Sequence, residues 1–140
     1  MVPDEVLEVL DSGADERTEF ETLPEGHYLC QIEKIVEKDG KEYPYMECEW
    51  KVLQPREHKG RKLWDNISFN PKAAFKVRAL FDAFDYDYDS DTDEFVQEKE
   101  QAVLYVKQEI QEQGKKKGQL REVVDEVLPA DEENMDLVEE

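Results

Sequence analysis

Cations that could follow a phosphate backbone and flat rings that could stack on bases gather in one part of this chain. Lys59, Arg61, Lys62, Lys72 and Lys76 supply the first, joined further along by Lys115, Lys116 and Lys117 between two glycines. Tyr43, Tyr45 and Trp64 supply the second. Single-stranded nucleic acid needs both at once, because phosphates attract cations and every base has a face to stack. Two carboxylates oppose this. Glu47 and Glu49 alternate with the strand positions of Tyr45 and share its face, where they would repel phosphate.

Other chemistry has less support. From Asp87 the chain reads Asp87-x-Asp89-x-Asp91, with Asp93 seventh and Glu98 twelfth, close to a calcium-binding loop. Thr92 replaces the glycine that the sharp turn needs, and Glu94 replaces the usual aliphatic, so a solvated acidic loop is the expectation. His27 and His58 have no ligand at metal-binding spacing, and no phosphate loop or nucleophile elbow is present. Neither an enzyme, a metal nor a cofactor is expected. Cys30 and Cys48 fall on inward-facing strand positions and read as small buried thiols.

Charge is unevenly distributed. Residues 1–25 hold nine carboxylates against one arginine, and residues 79–140 hold twenty against six bases. Residues 26–78 reverse the balance, with eleven Lys/Arg against eight Asp/Glu. The net charge of −19 argues against nonspecific attraction of the whole protein to DNA or an anionic membrane, but leaves room for one basic face. It also permits a different role, an acidic DNA mimic or inhibitor of a host protein, although the basic loop at 56–62 works against mimicry. No apolar run is long enough to span a bilayer, and Met1–Asp11 lacks the features of a signal peptide. A soluble cytoplasmic protein is the expectation.

The elements that must position these residues are mostly strands. Leu23-Pro24-Glu25-Gly26 launches a first strand over 26–36, with Tyr28, Cys30 and Ile32 facing in. Asp39-Gly40 predicts a tight hairpin with positive φ. The second strand turns Met46, Cys48, Trp50 and Val52 inward, which assigns Trp50 to the core. In the third, over 61–69, Leu63, Ile67 and Phe69 face in while Lys62, Trp64, Asn66 and Ser68 face out. A single bulge would turn Trp64 the other way. Asn70-Pro71 starts a helix with Ala74, Val77, Leu80, Phe81 and Phe84 on one stripe. A fourth strand follows from Ala102. Residues 119–128 suit helical spacing, but their valines and the glycine-bounded loop before them favour a fifth strand.

The resulting expectation is a mainly β fold: a five-stranded OB-type barrel with one helix between strands 3 and 4, and acidic flexible termini. Residues 1–22 form an acidic mobile leader, 23–128 the domain and 129–140 an acidic tail.

The run Phe20-Glu21-Thr22-Leu23-Pro24-Glu25-Gly26-His27-Tyr28 and the run Lys59-Gly60-Arg61-Lys62-Leu63-Trp64-Asp65-Asn66 resemble a phage family of single-stranded-DNA-binding-like OB proteins. The similarity spans roughly residues 20–128 and is strongest over 20–84. It implies an OB fold and a role in phage DNA replication or recombination, in the host cytoplasm. The acidic tail is similar to those with which single-strand-binding proteins recruit replication or recombination partners, but it closes in Glu139-Glu140 rather than in an apolar residue. The expected partner is single-stranded DNA, with the tail modulating binding or recruiting proteins. An oligomer is compatible with the sequence, and no membrane association is expected.

Overall fold

The computed structural model describes residues 22–112 and 117–139. The strands are β1 (Gly26–Lys38), β2 (Tyr45–Gln54), β3 (Lys62–Ser68), β4 (Gln101–Ile110) and β5 (Leu120–Pro129). Helix α1 (Ala74–Phe84) joins β3 to β4, followed by a short α2 (Asp93–Gln97), and α3 (Glu132–Met135) comes after β5. The five strands form one antiparallel sheet in the order β3-β2-β1-β4-β5. The choice of strand for 119–128 holds.

The alternation that predicted the strands also builds the core. Met46, Cys48, Trp50 and Val52 of β2 are buried, as are Tyr28, Cys30 and Ile32 of β1 and Leu63 and Ile67 of β3. Ala102, Leu104 and Val106 of β4 and Val124 of β5 complete the inward face. Among the described residues the Trp50 indole N–H has no hydrogen-bond partner, and its ring packs 5.9 Å from Phe84. Burial pushes the Cys48 thiol up to about 12 and that of Cys30 higher still, so neither is a reactive thiolate at neutral pH.

Helix α1 follows a turn over Pro71–Ala73 in which the Asn70 side chain accepts the Lys72 N–H at 3.0 Å. It ends where Asp85 turns left-handed at φ 63°. Leu80, Phe81 and Phe84 point into the core. There they meet Phe95 of α2, which is fully buried, with ring centroids 5.0 Å from Phe81 and 4.9 Å from Phe84. The helix packs on both β3 and β5, the two ends of the sheet. These strands approach each other, but no ladder joins them among the described residues.

Three expectations need correction. The β1–β2 connection is a six-residue loop closed by the Lys38–Tyr45 pair, not a two-residue turn, and Gly40 is absent from the positive-φ glycines. Gly40 is required for another reason: a Cβ there would collide with the Tyr43 carbonyl oxygen. The acidic run after Asp85 is not wholly loop, because Asp91 accepts the Asp93 N–H at 2.9 Å and α2 begins there, held by Phe95. The tail expected to be flexible is placed against the sheet as far as Glu139. The leader expected over 1–22 lies outside the described residues except for Thr22.

The tail docks for two reasons. β2 stops opposite Leu29 and Pro55 offers no N–H to continue the ladder, so the start of β1 has an open edge. Val138 occupies that edge through a parallel bridge to His27. Beneath it, Leu29 and Val103 form an apolar patch on the outer face of the sheet, flanked by Leu53 and Leu128 and covered by Met135 and Val138. Among the described residues no helix is long and apolar enough to cross a membrane.

Candidate nucleic-acid interface

The outward faces of β1, β2 and β3 form one surface. Register pairs Lys62 with Lys51, Trp64 with Glu49, Asn66 with Glu47 and Ser68 with Tyr45. On the other side of β2, Lys51 meets Gln31, Glu49 meets Lys34, Glu47 meets Val36 and Tyr45 meets Lys38. Trp64 stands near the middle of this surface at 54% exposure, on the outward side that parity gave it. A tryptophan so exposed on a strand of an otherwise well-packed sheet makes a flat platform that a base could cover.

The cations around it are partly committed. Lys62 Nζ lies 3.2 Å from both Glu49 and Glu33, and the hydrogen bond it donates to Glu49 contributes most to holding the ammonium above the usual lysine range. Burial works to raise the Glu33 carboxyl, but its hydrogen bond and charge contact with Lys62 outweigh this and lower it. Lys38 is paired with Glu47 at 2.9 Å. Arg61 turns away from the surface to bind Glu122 of β5 at 2.9 Å, and the other oxygen of Glu122 accepts the Leu23 N–H. Arg61 therefore ties the β2–β3 loop to β5, a structural task that its place in a basic loop did not reveal.

The other expected residues spread around the edges of the surface. Tyr43 is exposed in the β1–β2 loop and Tyr45 is half-buried where β2 begins. Lys72 is exposed in the turn before α1, and Lys76 is half-buried on α1. Lys72 follows Ser68 closely and belongs to the same end of the surface as Tyr45, whereas Lys76 turns to the inner side of β3, where it lines a cavity with Asp65 and Ile67. Lys59 is exposed at the other end, in the β2–β3 loop. Lys117 is exposed in the β4–β5 connection, while Lys115 and Lys116 lie outside the described residues.

The surface also holds Lys34 and Lys51, which were not among the expected site residues. Lys51 was legible, since parity had already placed it outward. Lys34 was not, because strict alternation from Ile32 would bury it. A register shift between Ile32 and Lys34 inserts Glu33 as an extra residue and turns Lys34 outward opposite Glu49. The same irregularity leaves Glu33 able to reach Lys62.

The aspartates of the calcium-like spacing do not converge. Among the described residues no group of three or more His, Cys, Asp or Glu side chains could hold a metal ion. Compared with known proteins, the chain matches no family model and no curated relative.

Proposed function

We propose that this chain is a non-enzymatic single-stranded DNA-binding protein, acting in phage DNA replication or recombination in the host cytoplasm. The observation that carries this reading is Trp64, exposed beside Lys62 on a surface that also presents Lys34 and Lys51. A base stacks on the indole while the lysines take the flanking phosphates. The fold in this reading is a five-stranded OB-type barrel, which binds oligonucleotides on the face of strands 2 and 3. Support for it comes from the strand order, the helix between β3 and β4, and the approach of β3 to β5 with Arg61 and Glu122 bonded between them.

The tail modulates binding. Its docked part borders a groove of about 730 Å3 with Arg56 and Lys59 on one side and Met135, Asp136 and Val138 on the other. Asp136 and its neighbours lower the positive potential there, and a tail freed from the sheet is available to replication or recombination proteins.

Titration of intrinsic fluorescence with oligo-dT and with a duplex, each at two salt concentrations, tests the reading. Quenching by oligo-dT that weakens as salt rises, with weaker binding of duplex, is the expected result. No binding of oligo-dT at low salt would overturn it.

One observation favours a second reading, the acidic mimic that occupies a basic groove on another protein. Lys62, the cation nearest Trp64 on β3, is held between Glu33 and Glu49. A surface whose central lysine is already neutralised has less positive charge to offer phosphate.

A further inference from the structure

The place where β3 and β5 approach without pairing contains a cavity of about 440 Å3. Its walls are largely apolar: Ile67 from β3, Ala79 from α1, and Val124, Val127 and Leu128 from β5. Into this lining β3 contributes Asp65, between the buried Leu63 and Ile67, at a position where alternation calls for an apolar side chain. Among the described residues the hydrogen bond that Asp65 accepts comes from the backbone of its neighbour Asn66. Lys76 of α1 lines the same cavity without forming an ion pair with Asp65, and Phe75, 59% exposed, stands at the rim.

A carboxylate accepts two hydrogen bonds side by side. Among the four DNA bases, guanine alone offers two adjacent donors on its Watson–Crick edge, the ring N1–H and the exocyclic amine. From this geometry we infer that the cavity between β3, α1 and β5 is a guanine subsite, with Asp65 reading the base edge. Phe75 supplies the stacking face and Lys76 the cation for that nucleotide's phosphate. The inference rests on the single-strand reading and gives it a base preference. Trp64 and Asp65 are consecutive, so they face opposite sides of β3. Because β3 is an edge of the sheet, a strand stacked on Trp64 can turn its next base around that edge.

The charged and titratable groups around the cavity of Asp65 are few. Lys76 comes from α1, Asp125 and Glu126 come from β5, and the buried Cys48 thiol lies on β2. Asp125 is itself 3.6 Å from Lys107. Glu126 remains to repel phosphate, which keeps the backbone of the bound strand on the Lys76 side.

Fluorescence anisotropy compares labelled dT12 with the same oligonucleotide carrying one central guanine or one inosine, which lacks the exocyclic amine. The expected result is roughly tenfold tighter binding of the guanine oligonucleotide, with inosine intermediate. Asp65→Asn should bring the ratio to one, and Asp89→Asn, on an exposed loop, should leave it unchanged. The ratio should also fall as pH drops below about 6, where Asp65 takes up a proton. Equal affinity for the guanine and all-thymine oligonucleotides overturns the subsite and leaves the single-strand reading standing. If dT12 does not bind at all, that reading fails, and NMR with guanosine monophosphate decides the subsite alone. Shifts at the Val124 and Val127 methyls that Asp65→Asn removes support it. No such shifts, or shifts produced instead by N-acetylarginine amide, overturn it and assign the cavity to a basic peptide.

Discussion

Trp64 of β3 sits directly opposite Glu49 of β2, and Glu49 is bonded not to a lysine of its own strand but to Lys62, two residues before the tryptophan. The stacking platform and the nearest cation are thus linked through one carboxylate. Any phosphate that follows a base onto Trp64 competes with Glu49 for Lys62.

Replacing Trp64 separates platform from scaffold. More than half of the side chain is already in water, so Trp64→Ala should change the melting temperature little. Binding to oligo-dT should weaken by ~1–3 kcal/mol, the usual value for one stacked base. Trp50→Ala is the contrasting control, since removing that buried ring should cost ~3–5 kcal/mol of stability. A folded Trp64→Ala protein with undiminished affinity would move the binding surface elsewhere.

Freeing Lys62 tests the competition. In Glu49→Gln and Glu33→Gln the ammonium loses a charged partner, and the surface becomes more positive by one unit each. Affinity for oligo-dT at low salt should rise several-fold, and the gain should shrink as salt screens the added charge. Neither change should alter stability by more than about 1 kcal/mol, because these ion pairs are partly solvated. Under the mimic reading the same substitutions gain nothing for DNA and weaken binding to a basic protein partner. Titration of both variants with oligo-dT distinguishes the two.

Much of this site followed from alternation alone. Met46, Cys48, Trp50 and Val52 were placed by period two, and that placement carries Trp64 outward once β3 pairs in register. What alternation could not give were the positions where the pattern is broken. The extra residue at Glu33 turns Lys34 outward, and no local signal marks it. Asp65 shares the parity of Leu63 and Ile67, so its inward side was legible, but the cavity it lines is closed by α1 and β5, which are distant in sequence. Val138 lies in so acidic a stretch that composition pointed to solvent. Its docking depends on an apolar patch, Leu29 and Val103, whose members are distant in sequence. The Arg61–Glu122 pair was out of reach for the same reason.

The tail gives a prediction in two parts. Val138 and Met135 cover Leu29 and Val103, so deleting Pro129–Glu140 should expose that patch and lower the melting temperature. Val138→Asp tests the docking without removing charge. It should cost about 2 kcal/mol, the value of burying one valine, and increase binding of a hydrophobic dye. If the tail weakens single-strand binding through its charge, the deletion should raise affinity for oligo-dT at low salt, and Val138→Asp should not match that gain. Equal affinity in the deletion and the full chain would remove the tail from the binding reaction.

The pH dependence of stability should carry the signature of Asp65. Burial pushes its carboxyl up to about 6, against the opposing pull of Lys76 and of the Asn66 backbone hydrogen bond. In the unfolded chain an aspartate titrates near 3.9. Between these values the folded protein binds more protons than the unfolded one, so stability falls as pH rises through that window. The contribution is fully present below about pH 4 and is lost as pH passes 6. A difference of about two units corresponds to roughly 3 kcal/mol. Asp65→Asn keeps the shape of the side chain and removes the titration, while every other carboxylate titrates alike in both proteins. The variant should therefore match the parent near pH 4 and exceed its stability by up to that amount at pH 7, measured by urea unfolding at each pH. A carboxylate that costs stability where an amide would not is what a binding group in an apolar cavity should look like. If Asp65→Asn is instead less stable at pH 7, Lys76 is holding the carboxylate as a structural partner, and its charge serves the fold.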